Sequence, residues 1–423
     1  MPGDIETFPT AYFYLDLTRQ TPANPDLIER TINKLGQVEA IPLVADPYGS
    51  RYAVGSLLLQ IDPQRRGYKS VVIEAATNSL GGRAADLGMV LMTVSHPDSG
   101  VLGENYTIFS YFEGRSDHPE KAVGGVLELY KYRQEIGVDS HYRQAAMAFL
   151  DVHSFETIRF MEEVNGNNEK PEIVSLTAMP LFVDRLSRDG FLKNDLETVV
   201  AAPDFGSFAK ARELSIKLGK PLIFIDKERP KPHEIFIKGL YLIHSDGKVE
   251  KIDNESAYLK DKRVIFFDDS IDTGETSILI SQEVKKRGAK QAIFTATHAI
   301  FSDPIETDNP IKTIQQALDD GDIDYLYTTD SLPFYKKVKH NHYKIVSVSG
   351  LFASLIKIAA DKAVEEDYDL VSQCLYNPIT NKKEIEKYFR EGNVSRAFEG
   401  FDYYDGIFGN RGRVVFSRQP AVN

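Results

Sequence analysis

Short apolar runs alternate with longer stretches of helical spacing through most of this chain. The candidate strands are Ser70–Glu74, Tyr106–Phe109, Ala146–Asp151, Thr198–Ala202, Pro221–Ile225, Val264–Phe267, Gln291–Ala296 and Ile323–Tyr327. Several are apolar on both sides of the pleat, the pattern of a strand buried in a parallel sheet. Between them, Phe208–Leu218 and Ser277–Arg287 read as helices, the second ending at Gly288, a residue suited to a helix C-terminus. The alternation predicts an α/β protein with parallel sheets flanked by helices. Three strand candidates run into polar signals: Asp151-Val-His153, Pro203-Asp-Phe-Gly-Ser207 and Asp268-Asp269. Open α/β sheets bind ligands beyond the carboxyl ends of their strands. The three signals fall on both sides of Asn165–Pro171, which has the composition of a linker. Two similar α/β domains with a site between them are expected, spanning residues 1–168 and 169–372, with an extension over 373–423. In that extension the alternation weakens, and Tyr403–Arg413 is rich in glycine, aromatic and basic residues.

Composition narrows the class. A chain of 423 residues with 42% hydrophobic and 26% charged residues can form packed cores in roughly two or three domains. A net charge of −12 argues against broad binding to nucleic acid or to anionic membranes. The single cysteine, Cys374, excludes an intrachain disulfide and a cysteine-based zinc site. The first residues, Met-Pro-Gly-Asp-Ile-Glu, lack a basic segment followed by an apolar one, and no run approaches the ~20 apolar residues of a membrane span. A cytoplasmic protein is expected.

The chemistry concentrates in Val264-Ile-Phe-Phe-Asp-Asp-Ser-Ile-Asp-Thr-Gly-Glu-Thr276. An apolar strand ends at two carboxylates, Asp268 and Asp269. A short loop, Asp272-Thr273-Gly274-Glu275-Thr276, leads into a helix. Backbone amides of such a loop and helix start can take a phosphate, and the threonine hydroxyls add donors. The carboxylates can hold ribose hydroxyls, directly or through a metal. The stretch therefore reads as a site for a phosphorylated sugar, with Glu275 turned outward because an acid repels phosphate.

This stretch resembles the phosphoribosyl-pyrophosphate (PRPP) loop of type I phosphoribosyltransferases and of the ribose-phosphate pyrophosphokinases, or PRPP synthetases. The resemblance to the latter family extends over about residues 50 to 360. Leu150-Asp-Val-His-Ser154 is similar to its Asp-Leu-His segment. Val199–Arg212 is similar to its Pro-Asp-x-Gly-Gly segment and following helix. Ile225-Asp-Lys-Glu-Arg-Pro-Lys-Pro232 resembles its flexible catalytic loop, with Lys-x-Arg-Pro, which ordinary phosphoribosyltransferases lack. Ala296–Ser302, Thr328–Pro333 and Val346–Phe352 resemble further landmarks, and Tyr111–Asp117 matches more weakly.

The resemblance implies transfer of the diphosphoryl group of ATP to the C1 hydroxyl of ribose 5-phosphate, with Mg2+ as cofactor. His153, Asp204, Asp268 and Asp269 are the implied metal-side residues. Lys227 and Arg229 would stabilise the transition state from a lid loop that Pro230 and Pro232 keep from being helical. Asp272 to Thr276 would hold the 5-phosphate. Arg115, Asp117, His153 and Lys210 are candidates for ATP, with Arg115 and Lys210 equally readable as surface cations, and His298 equally readable as core. A homo-oligomer is implied; no nucleic-acid or membrane partner is expected. The departures are specific. Tyr52-Ala-Val-Gly-Ser56 stands where the family has an acidic Phe-x-Asp-Gly-Glu motif, Ser207 replaces a glycine, and an insertion lies around Glu234–Lys260. They leave two alternatives open: a larger acceptor such as ADP-ribose, or a non-catalytic regulatory homologue.

Overall fold

A computed structural model describes residues 24–35, 40–45, 54–62, 67–76, 102–112, 142–153, 172–193, 197–228, 235–301, 310–332, 337–359, 362–376, 382–394, 408–409 and 413–414. Arg115, Asp117, Arg229, Asn165–Pro171 and most of Tyr403–Arg413 lie outside these residues. So do Tyr52 and Ala53, and of Val54–Ser56 only the strand backbone is described. The chain forms two compact units: residues 1–176 with 349–375 and 406–423, and residues 177–348 with 376–405.

The first unit holds a six-stranded sheet in chain order: β1 (Ala40–Ala45), β2 (Val54–Asp62), β3 (Gly67–Ala76), β4 (Leu102–Phe112), β5 (Tyr142–Leu150) and β6 (Glu172–Leu176). β1, β2 and β3 pair antiparallel, and β3 to β6 pair parallel. Phe109 and Phe149 face each other across β4 and β5 with ring centroids 4.6 Å apart, so the register places aromatic on aromatic. Helix α1 (Pro25–Asn33) starts at an Asn24 cap with Pro25 in its first turn.

The second unit holds the larger sheet. Its elements are α2 (Met179–Arg188), β7 (Thr198–Ala202), α3 (Phe208–Leu218), β8 (Leu222–Glu228), β9 (Phe236–Ile243), β10 (Val249–Lys251), α4 (Glu255–Leu259), β11 (Arg263–Ile271), α5 (Glu275–Lys286), β12 (Gln291–Ala299), α6 (Pro310–Asp319), β13 (Tyr325–Thr329) and β14 (Tyr343–Val346). After β14, α7 (Ser349–Ala359) and α8 (Glu365–Cys374) return to the first unit, which also holds the short pair β15 (Phe408–Gly409) and β16 (Arg413–Val414); α9 (Lys382–Arg390) belongs to the second. The expected weakening of pattern after residue 372 thus still contains a helix.

The strand order is β10-β9-β8-β7-β11-β12-β13-β14, parallel from β8 to β14. The stretch read as an insertion, Glu234–Lys260, forms β9, β10 and α4. The two strands extend the sheet antiparallel beyond β8. Alternation sorts the core. Val199, Ala201, Val264 and Phe266 pack with Ile278, Ile280, Val284 and Ile314 from α5 and α6. Phe267, pointing the other way, meets Phe182 of α2 edge-on at 5.8 Å. β7, β11, β12 and β13 are buried along nearly their whole length, which is why continuous apolar runs marked them so plainly.

Candidate active site

β7 leads through α3 to β8 on one side of it, while β11 lies on its other side. The chain order therefore reverses between β7 and β11. That is the topological switch point at which an open α/β sheet presents a crevice beyond its strand ends. Asp204 follows β7, and Asp268 and Asp269 lie near the end of β11.

The expectation that the strand ends at Phe267 needs correction. β11 continues to Ile271. Its pairing with β7 stops at Phe266↔Ala201, whereas pairing with β12 runs on to Ile271↔Ala299. The last residues of β11 are thus held from one side, and the two carboxylates are fixed by a strand rather than by a loop. Being consecutive on a strand, they point to opposite faces. Asp269 is buried and meets the ammonium of Lys210 on α3 at 3.4 Å. Lys210 is therefore not a surface cation: both side chains of this pair are about nine-tenths shielded. Asp268 accepts a hydrogen bond from the Asp269 amide at 2.9 Å. Burial, then the charges of Asp269 and Asp204, push the Asp268 carboxyl well above the usual carboxylate range, and Lys210 opposes them.

Asp204 is tied locally and across the sheet. One carboxylate oxygen accepts from the Ser207 amide at 3.0 Å, and the other meets Lys227 Nζ at 3.3 Å. Ser207, not Asp204, is the N-cap residue of α3. Burial alone would raise the Asp204 carboxyl; the Lys227 charge and the Ser207 hydrogen bonds outweigh it and hold it below the ordinary value. Lys227 is a second correction. It was expected on a loop, yet β8 runs through Glu228, and Lys227 and Glu228 pair with Ile237 and Phe236 of β9. The added β9 supplies the hydrogen-bonding partner that turns this stretch into strand.

The expected phosphate loop follows β11 directly. Asp272 and Thr273 are exposed, and α5 begins at Glu275. Gly274 has φ +75°, and a Cβ there would lie 2.8 Å from Ile314 Cγ1. Only glycine fits, so backbone rather than side chain stands at the head of α5, where amide groups favour an anion. Gly274→Ala is expected to cost about 1–3 kcal/mol. A urea melt checks this, and an unchanged midpoint would show that the loop tolerates a side chain. Glu275 does not point wholly outward: its Oε1 is shielded from solvent. An acid in the first turn of a helix is favoured by the helix dipole, which opposes its repulsion of a phosphate.

His153 is exposed just past β5 in the first unit, and Asp151 before it is buried with φ +42°, its amide donating to Leu176 O at 2.8 Å. His298 is a core residue, buried and 2.9 Å from Ser331 Oγ. The sequence reading assigned no role to Asp330. It is buried and accepts from Ser347 Oγ and the Val348 amide, which joins the ends of β13 and β14. Among the described residues no group of three or more His, Cys, Asp and Glu side chains forms a ready metal cage. The oxygen donors present do fit the way magnesium is usually held, by one or two carboxylates with phosphate oxygens and water completing the shell. The crowding that raises Asp268 is what a nearby cation would relieve.

The phosphoribosyl transferase domain model matches residues 173–323. A ribose-phosphate pyrophosphokinase of Fusobacterium nucleatum is 26% identical over 318 residues, covering 75% of this chain and 88% of the relative. That of Thermotoga maritima is 24% identical over 341 residues, covering 79% and 91%. The chain is similar to these ribose-phosphate pyrophosphokinases along most of its length. The crystal structure of phosphoribosylpyrophosphate synthetase from Mycobacterium smegmatis shares the fold, with a TM-score of 0.55 at 18% identity, covering 82% of this chain and all of that one. The acid pair lies on β11 with the loop directly after it, and Lys227 lies on β8. No helix among the described residues is long and apolar enough to cross a membrane.

Proposed function

We propose that the protein is a diphosphokinase that converts ATP and ribose 5-phosphate to PRPP and AMP. The observation that carries the reading is the convergence, at one switch point, of an acid pair, an amide-lined loop and a lysine held by a third acid. Residues 272–276 take the 5-phosphate through amides and the hydroxyls of Thr273 and Thr276, and Asp268 and Asp269 hold the ribose hydroxyls. The C1 hydroxyl oxygen bonds to the β-phosphorus of ATP, the bond from that phosphorus to the bridging oxygen of the α-phosphate breaks, and the hydroxyl proton is released. AMP leaves. Lys227, with Arg229, offsets the charge that gathers on the phosphoryl oxygens, the main contribution a protein makes to such a transfer. Asp204, Asp268 and Asp269, with His153, would hold Mg2+, which would supply charge neutralisation for the phosphates. His153, Arg115, Asp117 and Lys210 are assigned to the ATP side as proposals carried by the resemblance, as is a homo-oligomeric assembly in the cytoplasm.

The test is AMP formation from ATP and Mg2+ with ribose 5-phosphate or with ADP-ribose. AMP with ribose 5-phosphate supports the reading. AMP with ADP-ribose alone would transfer the same chemistry to a larger acceptor. No AMP with either would leave a regulatory homologue.

A further inference from the structure

The segments by which this chain departs from the family pattern, residues 234–260 and the C-terminal extension, meet in the second unit. The amide of Val249 on β10 donates to Gly392 O, and the amide of Val394 donates to Gly247 O, both at 2.9 Å. Lys248 and Asn393 form an antiparallel bridge. The residues after α9 thus cover the outer edge of β10, which would otherwise end the sheet with open hydrogen-bonding groups. This dock sets α9 over a knot of aromatic rings. Phe389 lies 4.7 Å from Phe224 on β8, 5.0 Å from Tyr241 on β9 and 5.3 Å, nearly perpendicular, from Phe205. Phe205 also stacks on Phe224 at 4.4 Å. Phe205 is the residue after Asp204.

We infer that Phe389 is a positioning residue: through Phe205 it fixes the turn that holds Asp204 against Lys227. The turn is also anchored by the Asp204–Ser207 contacts, the ion pair to Lys227 and the packing of Phe208 on Phe224. Gly206 within it is exposed and adds no packing of its own. Phe205 adds aromatic contacts with Phe224 and Phe389, the second from the C-terminal extension. A chain with this extension therefore carries a brace from its far end to a residue of the proposed reaction centre.

The inference rests on the reading of Asp204 and Lys227 as part of that centre, but its test does not depend on activity alone. In full-length Phe389→Ala, amide hydrogen exchange over residues 204–208 should quicken. Acetylation of the Lys227 amine by acetic anhydride, followed by mass spectrometry, should become several-fold faster as Asp204 loosens. AMP formation should lose about tenfold or more in kcat, as expected for a misplaced reacting group, with the KM for ribose 5-phosphate little changed. Phe389→Leu, which loses the ring contacts but keeps an apolar body, should fold and show the same changes in smaller degree, and parental exchange and labelling in it would count against the brace if the alanine variant does not fold. Unchanged exchange and labelling in a folded alanine variant would overturn the brace. If the parent protein forms no AMP, the proposed reaction fails, while exchange and labelling still decide the role of Phe389.

Discussion

Lys227→Ala is expected to lower the rate of AMP formation by roughly 10²- to 10³-fold, the scale seen when one charge-stabilising donor is removed from a reaction centre. The fold should hardly notice. Lys227 sits in a strand whose backbone pairs with β9 whatever its side chain. Its partner Asp204 is nearly half exposed and keeps its bonds to Ser207, so loss of the ion pair costs only a fraction of what a buried pair would. The pH dependence has a definite sign. Asp204 is held below the ordinary carboxylate value, partly by Lys227. Its stabilising contribution is present above the unfolded-state pKa and fades as pH falls through the lowered folded value. Parent and variant should therefore differ slightly in stability at neutral pH and converge in acid. Steady-state kinetics with matched thermal melts make the check. Near-parental turnover would take Lys227 out of the chemistry, and a large fall in melting temperature would make it a structural residue.

Much of this site could be read in the sequence because it lies on buried parallel strands. β7 and α3 have the expected limits, Asp204 follows β7, and the acid pair stands on β11 where its apolar run gives way to polar residues. What could not be read depends on partners distant in sequence. Asp268 and Asp269 appeared to end a strand because pattern does not show that β12 extends the pairing to Ile271. Lys227 appeared to lie on a loop because two prolines follow it closely, and its strand conformation depends on β9, formed by a segment whose side chains gave no clear alternation. Lys210 carries no local sign of burial; its place follows from α3 crossing the sheet beside Asp269. Asp330 binds residues after β14, a contact that only topology creates.

The Lys210–Asp269 contact yields the largest expected change in stability. Replacing Lys210 by methionine keeps most of the side-chain volume and removes the charge. The carboxylate of Asp269 is then left buried next to Asp268, with the charge of Asp204 nearby and its cation gone. Breaking a buried pair in this way costs about 3–5 kcal/mol, far more than the pair contributes net. Acid should relieve it. Lys210 opposes the rise of the Asp268 carboxyl, so its removal drives that carboxyl further up. A folded-state pKa above the unfolded one means that the folded state binds the extra proton. Stability is retained below the unfolded value and lost as pH rises through the folded one. The deficit of Lys210→Met should therefore be large at pH 7 and shrink toward pH 4, measured by urea melts in chelator. Adding Asp269→Asn should recover much of the loss at pH 7, because the buried carboxylate charge is gone. A deficit that is the same at both pH values and survives in the double variant would instead assign Lys210 a role in packing alone.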